Sequence, residues 1–243
     1  MTLLDGYPLD APALRGPALL GQVWADLAFL HRPVDPADVA AMMPAGTRPD
    51  VDAEGRTWVG LVPFRMASAG FGRARPVPVL GTFLETNVRL YSVDDAGRHG
   101  VVFRTLETER LAVVPFARGV FGTPYRWARM RYDRTGDVHT WETVRRRPGR
   151  PVRSRVVLRV GDVVEPTDLE TWLTARWGLH TRWGGRTWWV PNEHAAWPLH
   201  AAEVLELDDE LVADAGVAPV GPPLRALVSP GVRTVFGLPR PVA

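Results

Sequence analysis

Tyr125-Arg126-Trp127-Ala128-Arg129-Met130-Arg131-Tyr132-Asp133, then Arg134-Thr135-Gly136-Asp137, then Val138 to Arg146, is the stretch that decides the fold class. Successive side chains of a strand point to opposite faces. On that reading the first run sets Tyr125 with Trp127, Arg129 and Arg131, and Arg126 with Ala128, Met130 and Tyr132. The turn around Gly136 and the second run complete a hairpin. Arg153 to Val160, behind Pro148-Gly149-Arg150-Pro151, is a third strand.

The same signals recur on either side. Upstream, Val23 to Leu30 and Thr57 to Met66 are apolar strands. Between them a short helix starts at Asp35-Pro36, turns Val39, Met42 and Met43 to one side and stops at Pro44. Aspartate caps such a helix and proline suits its first turn. A Gly/Pro-rich loop runs from Ser68 to Pro78, and Phe83 to Val93 then pairs with Gly100 to Leu106. Glu107 to Val120 reads as a helix that Pro115 kinks or breaks. Downstream, Thr167 and Glu170 make a capping box, opening a helix that ends at Gly178. Gly184-Gly185 turns a hairpin between Leu179 to Trp183 and Arg186 to Val190. Trp197 to Leu207 is a strand, Asp208 to Ala215 a short helix, and Leu224 to Val228 the last strand. Many strands in hairpin order with a few short helices predict a mainly β chain of the α+β class, an antiparallel sheet or partly closed barrel. One domain is expected over residues 1–243, with 1–22 as an N-terminal arm and 229–243 as a C-terminal tail.

With 243 residues, 46% of them hydrophobic, the chain can bury a substantial core. No apolar run approaches the ~18 residues of a membrane span. Met1 to Leu14, interrupted by Asp5, Gly6, Pro8, Asp10 and Pro12, lacks the pattern of an export signal, so no membrane partner and a cytoplasmic location are expected. Cysteine is absent, which removes disulfides and thiolate chemistry. All 29 basic residues are arginine, against 27 acidic ones. The sequence pI of about 9.5 therefore reports missing lysine and cysteine rather than a basic surface. The densest cationic run, Arg145-Arg146-Arg147 with Arg150, Arg153 and Arg155, flanks a Pro-Gly turn and reads as a solvated hairpin end. No nucleic-acid partner is expected from it.

Four separated motifs carry a family resemblance. They are Phe29-Leu30-His31-Arg32-Pro33-Val34-Asp35-Pro36 running on to Met43-Pro44-Ala45-Gly46; Trp58 to Met66; Glu85-Thr86-Asn87-Val88-Arg89-Leu90-Tyr91; and Phe121-Gly122-Thr123-Pro124-Tyr125-Arg126-Trp127-Ala128-Arg129-Met130. In order and spacing they resemble the YqjF-like family of uncharacterised bacterial proteins, over roughly Trp24 to Leu207. The resemblance implies a fold related to acetoacetate decarboxylase and no assigned activity. Acetoacetate decarboxylases carry Gly-Arg-Glu-x-Trp-Gly-x-Pro-Lys-Lys, ending in the Schiff-base lysine and the neighbour that lowers its pKa. This chain is similar in register, with Ala117-Arg118-Gly119-Val120-Phe121-Gly122-Thr123-Pro124-Tyr125-Arg126. Tyr125 stands at the amine's position and Arg126 at its partner's. A phenol forms no imine, so β-keto-acid decarboxylation does not carry over. The decarboxylases also have an acidic residue on the preceding strand, and Glu85 is similar in placement.

Strand alternation puts Glu85, Asn87, Arg89 and Tyr91 on one face, opposite Thr86, Val88 and Leu90. An acid, an amide, a cation and a phenol furnish a polar pocket; the competing reading is the solvent side of a half-buried sheet. Tyr125 is a pocket residue or a core aromatic with its hydroxyl bonded nearby. Arg118 is an anion ligand or a structural partner for an acid. Arg126 points away from Tyr125, so only one of the two faces a given cavity. Glu193, His194, His200 and Glu203 form the densest His/acid cluster, but no helical i, i+4 histidine pair arises, and no metal is expected. His31, before Arg32-Pro33, reads as part of a structural turn. The serines, Ser68, Ser92, Ser154 and Ser229, lie in no Gly-x-Ser-x-Gly elbow, and no phosphate loop or dinucleotide fingerprint is present. Trp172, Trp177, Trp183, Trp188, Trp189 and Trp197 read as β-domain packing rather than an aromatic pocket.

The expected function is binding of a small molecule, an organic acid or aromatic metabolite, without a cofactor. The alternative is an enzyme that uses Glu85 as acid or base, with Tyr125 and Arg89 as oxyanion ligands. On that reading Arg89 shares Glu85's cavity and holds its carboxyl ionised. Related architectures often assemble, so a homo-oligomer is a further expectation.

Overall fold

The computed structural model describes residues 4, 6–73, 75–77 and 81–242. Its elements are β1 (Leu20–Val34), α1 (Pro36–Ala40), β2 (Thr47–Pro49), β3 (Thr57–Phe71), β4 (Arg75–Pro76), β5 (Phe83–Asp94), β6 (His99–Thr108), α2 (Val113–Phe121), β7 (Tyr125–Thr135), β8 (Val138–Arg145), β9 (Arg153–Val163), α3 (Asp168–Thr174), β10 (Gly178–Trp183), β11 (Arg186–His194), β12 (His200–Asp209), α4 (Leu211–Asp214), β13 (Ala226–Phe236) and β14 (Arg240–Pro241).

The sheet closes twice. One ring runs β6-β7-β8-β9-β12-β13-β1-β3-β5 and back to β6, nine strands in all. The pairings β6–β10, β10–β11 and β11–β13 close a second, seven-stranded ring through the same β13, β1, β3, β5 and β6. The mainly β, α+β barrel expected from the sequence is what forms; it is fully closed, and the β6–β7 and β6–β10 ladders are parallel among otherwise antiparallel ones. Because five strands belong to both rings, their alternate residues point into different interiors. On β5, Val88 and Leu90 join the core of the larger ring, while Tyr91 packs with Trp58, Trp172 and Trp177 in the smaller. Such a strand is buried on both faces, as β5 is along almost its whole length.

The cap signals hold. Asp35 accepts from the Ala37 amide at 2.8 Å, and Thr167 with Glu170 makes a reciprocal capping box. Five boundaries differ from the sequence reading. Glu107 and Thr108 finish β6 instead of opening a helix; α2 begins at Val113, so Pro115 falls in its first turn, where a missing N–H costs nothing and no kink arises. The third helix ends at Ala175, and Gly178 opens β10 because a Cβ there would lie 2.4 Å from the Trp189 ring. Most of the predicted tail is barrel wall. β13 continues past Val228 to Phe236, bending at Gly231, whose φ is 122° and whose Cβ would meet the Trp24 carbonyl at 1.9 Å. Leu20 and Gln22 of the predicted arm belong to β1, and β3 runs on through Ser68 to Phe71, with Pro78 outside the described residues.

Two further expectations are corrected. Arg145 is not solvated: it is buried against Glu107, with Asp214 as its second acid. His31 is not in a turn but on β1, buried, with Nε2 2.6 Å from the Tyr91 hydroxyl. Four of the six clustered tryptophans, Trp172, Trp177, Trp189 and Trp197, are core. No helix among the described residues is long and apolar enough to cross a membrane.

Candidate functional site

Every strand of the seven-stranded ring contributes to a cavity of about 410 Å³. Leu20, Gln22 and Trp24 come from β1, Phe64 and Met66 from β3, Phe83 and Glu85 from β5, Phe103 and Leu106 from β6, and Leu179, Val190 and Phe236 from β10, β11 and β13. One face of α2 closes a side with Val113, Phe116, Ala117 and Phe121. In this apolar wall Glu85 is the one carboxylate, and no arginine or histidine lines it among the described residues.

Tyr125 reaches the cavity through a locked turn. Gly122 ends α2 in the left-handed region at φ 65°, and a Cβ there would lie 2.4 Å from the Arg182 carbonyl. Thr123 donates its hydroxyl to the Ala117 carbonyl at 3.2 Å, and Arg118 Nε donates to the Tyr125 carbonyl at 2.7 Å. Parallel pairing of Tyr125 with Leu106 then aims the phenol inward. Its hydroxyl donates to Glu85 Oε2 at 2.6 Å, the range of a charge-assisted O–H···O bond.

Glu85 is only 3% exposed, and burial pushes its carboxyl up to about 7. The Tyr125 hydrogen bond and then Asn87 pull the other way, and the charge of Glu107, on the far side of β6, adds to the rise. Burial also raises the Tyr125 phenol well above its ordinary value, with the Glu85 charge acting in the same direction. At neutral pH the pair therefore has a neutral phenol and a carboxyl divided between its two forms.

Of the seven candidate residues, Glu85 and Tyr125 meet in the cavity as expected, and Asn87 lies behind Glu85. The other four do not line it. Arg89 and Tyr91 share Glu85's strand face but lie deeper, in the packed centre of the ring. Arg89 Nε donates to the Tyr91 hydroxyl at 3.2 Å, and its guanidinium sits 5.4 Å from the Phe29 ring centre. Tyr91 also meets His31 and stacks on Trp172. Arg89 therefore does not hold Glu85 ionised; desolvation prevails over the expected cation. Arg118 is a structural partner of the Tyr125 turn rather than a ligand residue. Arg126 is exposed on the opposite face, where its charge acts on Asp214.

Two polar groups beside the site were missed in the sequence: Asn192 Oδ1 and Thr234 Oγ1, like Oδ1 of the expected Asn87, are buried without a hydrogen-bond partner among the described residues. Asn87 pairs in the sheet with Leu106, Asn192 with Phe236 and Thr234 with Gln22, and all three partners line the cavity. Only their sheet register brings these distant residues together; the Leu20, Gln22, Trp24 alternation was the one local signal.

The His/acid cluster disperses. Glu193 pairs with Arg73 and Glu203 with Arg159, while His194 Nδ1 lies 2.8 Å from the Ala195 carbonyl and His200 Nδ1 3.0 Å from the Gly161 carbonyl. Among the described residues, no three His, Cys, Asp or Glu side chains come together as metal ligands.

Comparison with known proteins agrees with this architecture. The model of the DUF2071 family, described as an uncharacterised conserved protein, matches residues 21–233. The uncharacterised protein YqjF of Bacillus subtilis is 29% identical over 202 residues, 81% of each chain. Among solved structures, acetoacetate decarboxylase from Legionella pneumophila superposes with a TM-score of 0.65 at 12% identity, covering 100% of this chain and 96% of that one. The enduracididine biosynthesis enzyme MppR, complexed with the condensation product of pyruvate and imidazole 4-carboxaldehyde, gives 0.65 at 16% identity, covering 95% and 92%. An acetoacetate decarboxylase-like enzyme from Sphingomonas wittichii gives 0.63 at 18%, covering 95% of each chain.

Proposed function

The chain belongs to the DUF2071 family of uncharacterised conserved proteins, and from that premise we propose that it binds a small, neutral, largely apolar molecule whose single polar group meets the Glu85–Tyr125 pair. The observation that carries this reading is the composition of the wall: one carboxyl and one phenol in a surface otherwise made mostly of aromatic and aliphatic side chains. Of the two ligand classes expected from the sequence, this reading favours the aromatic metabolite over the organic acid. A carboxylate entering this cavity would lose its hydration, find no cation on the wall and meet Glu85. A carbonyl or hydroxyl oxygen could accept from protonated Glu85, and a hydroxyl could donate to the ionised form.

A second reading rests on the Glu85 carboxyl at about 7. That value suits a group that takes and returns a proton at neutral pH. The chemistry in view is proton transfer at carbon next to a carbonyl, with Tyr125 beside the oxygen. No imine takes part, since the chain has no lysine.

Acetophenone and benzoate, alike in size and different in charge, separate these possibilities when titrated at pH 6, where Glu85 is mostly protonated, with tryptophan fluorescence as readout, Trp24 being on the wall. The ketone is expected to bind at least about tenfold more tightly, the effect of an uncompensated charge in an apolar site. Equal or tighter binding of benzoate would overturn the proposal. Deuterium from solvent appearing in the ketone's methyl group, lost in Glu85→Gln, would establish the enzymatic reading instead. Borohydride added with the ketone should leave the mass of every internal peptide unchanged.

A further inference from the structure

We propose a second binding site, for a small oxyanion, in the groove where the two rings part, with Arg104 as its principal cation. Its two cations, Arg104 and Arg182, lie outside the Glu85 cavity, with which the groove shares Phe103, Thr123 and Leu179. Strand β6 pairs with β10 at Val101 and with β7 only from Leu106 onward, so its edge is open between them. A groove of about 340 Å³ occupies that opening.

The sheet register places Arg104 there. Val88 pairs with Thr105 and Arg89 with Phe103, so Arg104 is the extra residue of a β-bulge. Bulges re-aim a side chain out of the strict alternation of a strand. Arg104 forms part of the groove wall, and its one hydrogen bond among the described residues runs from Nη2 to the Ala215 carbonyl at 3.3 Å. Its Nε is buried without a partner. No carboxylate pairs with it among the described residues, whereas the buried Arg145 and Arg176 are each held by an acid.

Burial depresses the Arg104 pKa, and no opposing charge offsets the shift. A partly buried guanidinium with one of its five N–H donors used, and no counter-ion, is costly unless an anion completes it. The rest of the groove suits that anion. Arg182 adds a second, exposed cation. Among the described residues the wall has no aspartate or glutamate. His180 faces away, its nitrogens engaged by Ser92 and Asp94.

The chemistry recognised is a planar or tetrahedral oxyanion, a carboxylate or a phosphate, both of which match a guanidinium. The site is tested by titrating the full chain with acetate and with inorganic phosphate at constant ionic strength set by chloride, following NMR shifts of arginine Nε and groove amides. At least one of the two should saturate below about 10 mM, and the tighter one identifies the class. Arg104→Met should weaken it roughly tenfold or more, as expected for a lost charge-assisted contact. Arg182→Gln should weaken it less, and Glu85→Gln should leave it unchanged. The bound anion should raise the wild-type Tm and leave that of Arg104→Met unmoved. Two results would overturn the site: no saturable binding of either anion, or undiminished binding by Arg104→Met. If Arg104→Met does not fold, Arg104→Lys together with Arg182→Gln gives the decision, with wild-type affinity in the double variant counting against it.

Discussion

Replacing Glu85 by glutamine tests the central feature of the cavity, because glutamine keeps the shape and an acceptor for Tyr125 but is neutral at every pH. The carboxyl rises from an ordinary 4.5 to about 7 on folding. The unfolded chain thus releases its proton at lower pH than the folded one. Below pH 4.5 both states hold the proton and the group costs nothing. Between 4.5 and 7 the folded state binds more protons, so stability falls as pH rises; above 7 the full penalty is present. A difference of 2.5 units corresponds to about 3 kcal/mol, at roughly 1.4 kcal/mol per unit.

The assay is thermal and urea unfolding of both proteins from pH 4.5 to 8.5, read as variant minus wild type so that other titrating groups cancel. Glu85→Gln should gain about 3 kcal/mol on wild type across that range, or roughly 6–12 °C in Tm for a chain of this length. Most of the gain should fall between pH 4.5 and 7. A difference constant to within about 0.5 kcal/mol between pH 5 and 8 would show that the carboxyl is not displaced by burial, and would remove the basis for its proton-transfer role. A gain as pH falls would place a cation at the site after all.

Two other predictions concern the turn that delivers the phenol. Gly122→Ala should lower stability by at least about 2 kcal/mol, from a left-handed backbone and a Cβ pressed on the Arg182 carbonyl, and should weaken ketone binding; an unchanged urea midpoint would refute the tight approach. Tyr125→Lys should put a cation beside Glu85, depress its carboxyl and abolish the loss of stability between pH 4.5 and 7. The pair's contribution would then be present above the ordinary carboxyl value and lost as pH falls, and persistence of the wild-type pH dependence would count against it.

What the sequence made legible follows from what local patterns encode. Caps and turns are local, and Asp35, the Thr167–Glu170 box and Gly184-Gly185 are where they were expected. Strand alternation is also local, and it sorted Glu85, Asn87, Arg89 and Tyr91 correctly onto one face. Alternation specifies a face and not a depth. Arg89 lies two pairs beyond Asn87, past the end of the open space and beneath aromatic rings, so its charge never reaches the cavity. Glu107 looked helical because its partner, Arg145, is distant in sequence and itself looked solvated. Each was misread for want of the other, a buried pair being visible only once the nine-stranded ring is closed. The last strand was expected to stop at Val228, yet β13 runs on to Phe236 because its partners on β1 and β11, distant in sequence, continue the ladder.

The missing lysine has a consequence beyond the loss of imine chemistry. An amine at the position of Tyr125 would be cationic at neutral pH, unless its own pKa were lowered, and would hold a neighbouring carboxylate in its charged form. A phenol cannot. Its hydrogen bond favours the carboxylate, but desolvation is the larger influence and the carboxyl is raised to about 7. With a phenol rather than an amine beside it, Glu85 is therefore able to donate or accept a proton near neutrality. No amine places a charge in the cavity, so among the described residues the wall is mostly apolar, with Gln22, Thr123 and one titratable corner as its polar groups. On the reading proposed above, such a wall favours a neutral compound over an anion, which would find no cation there among the described residues.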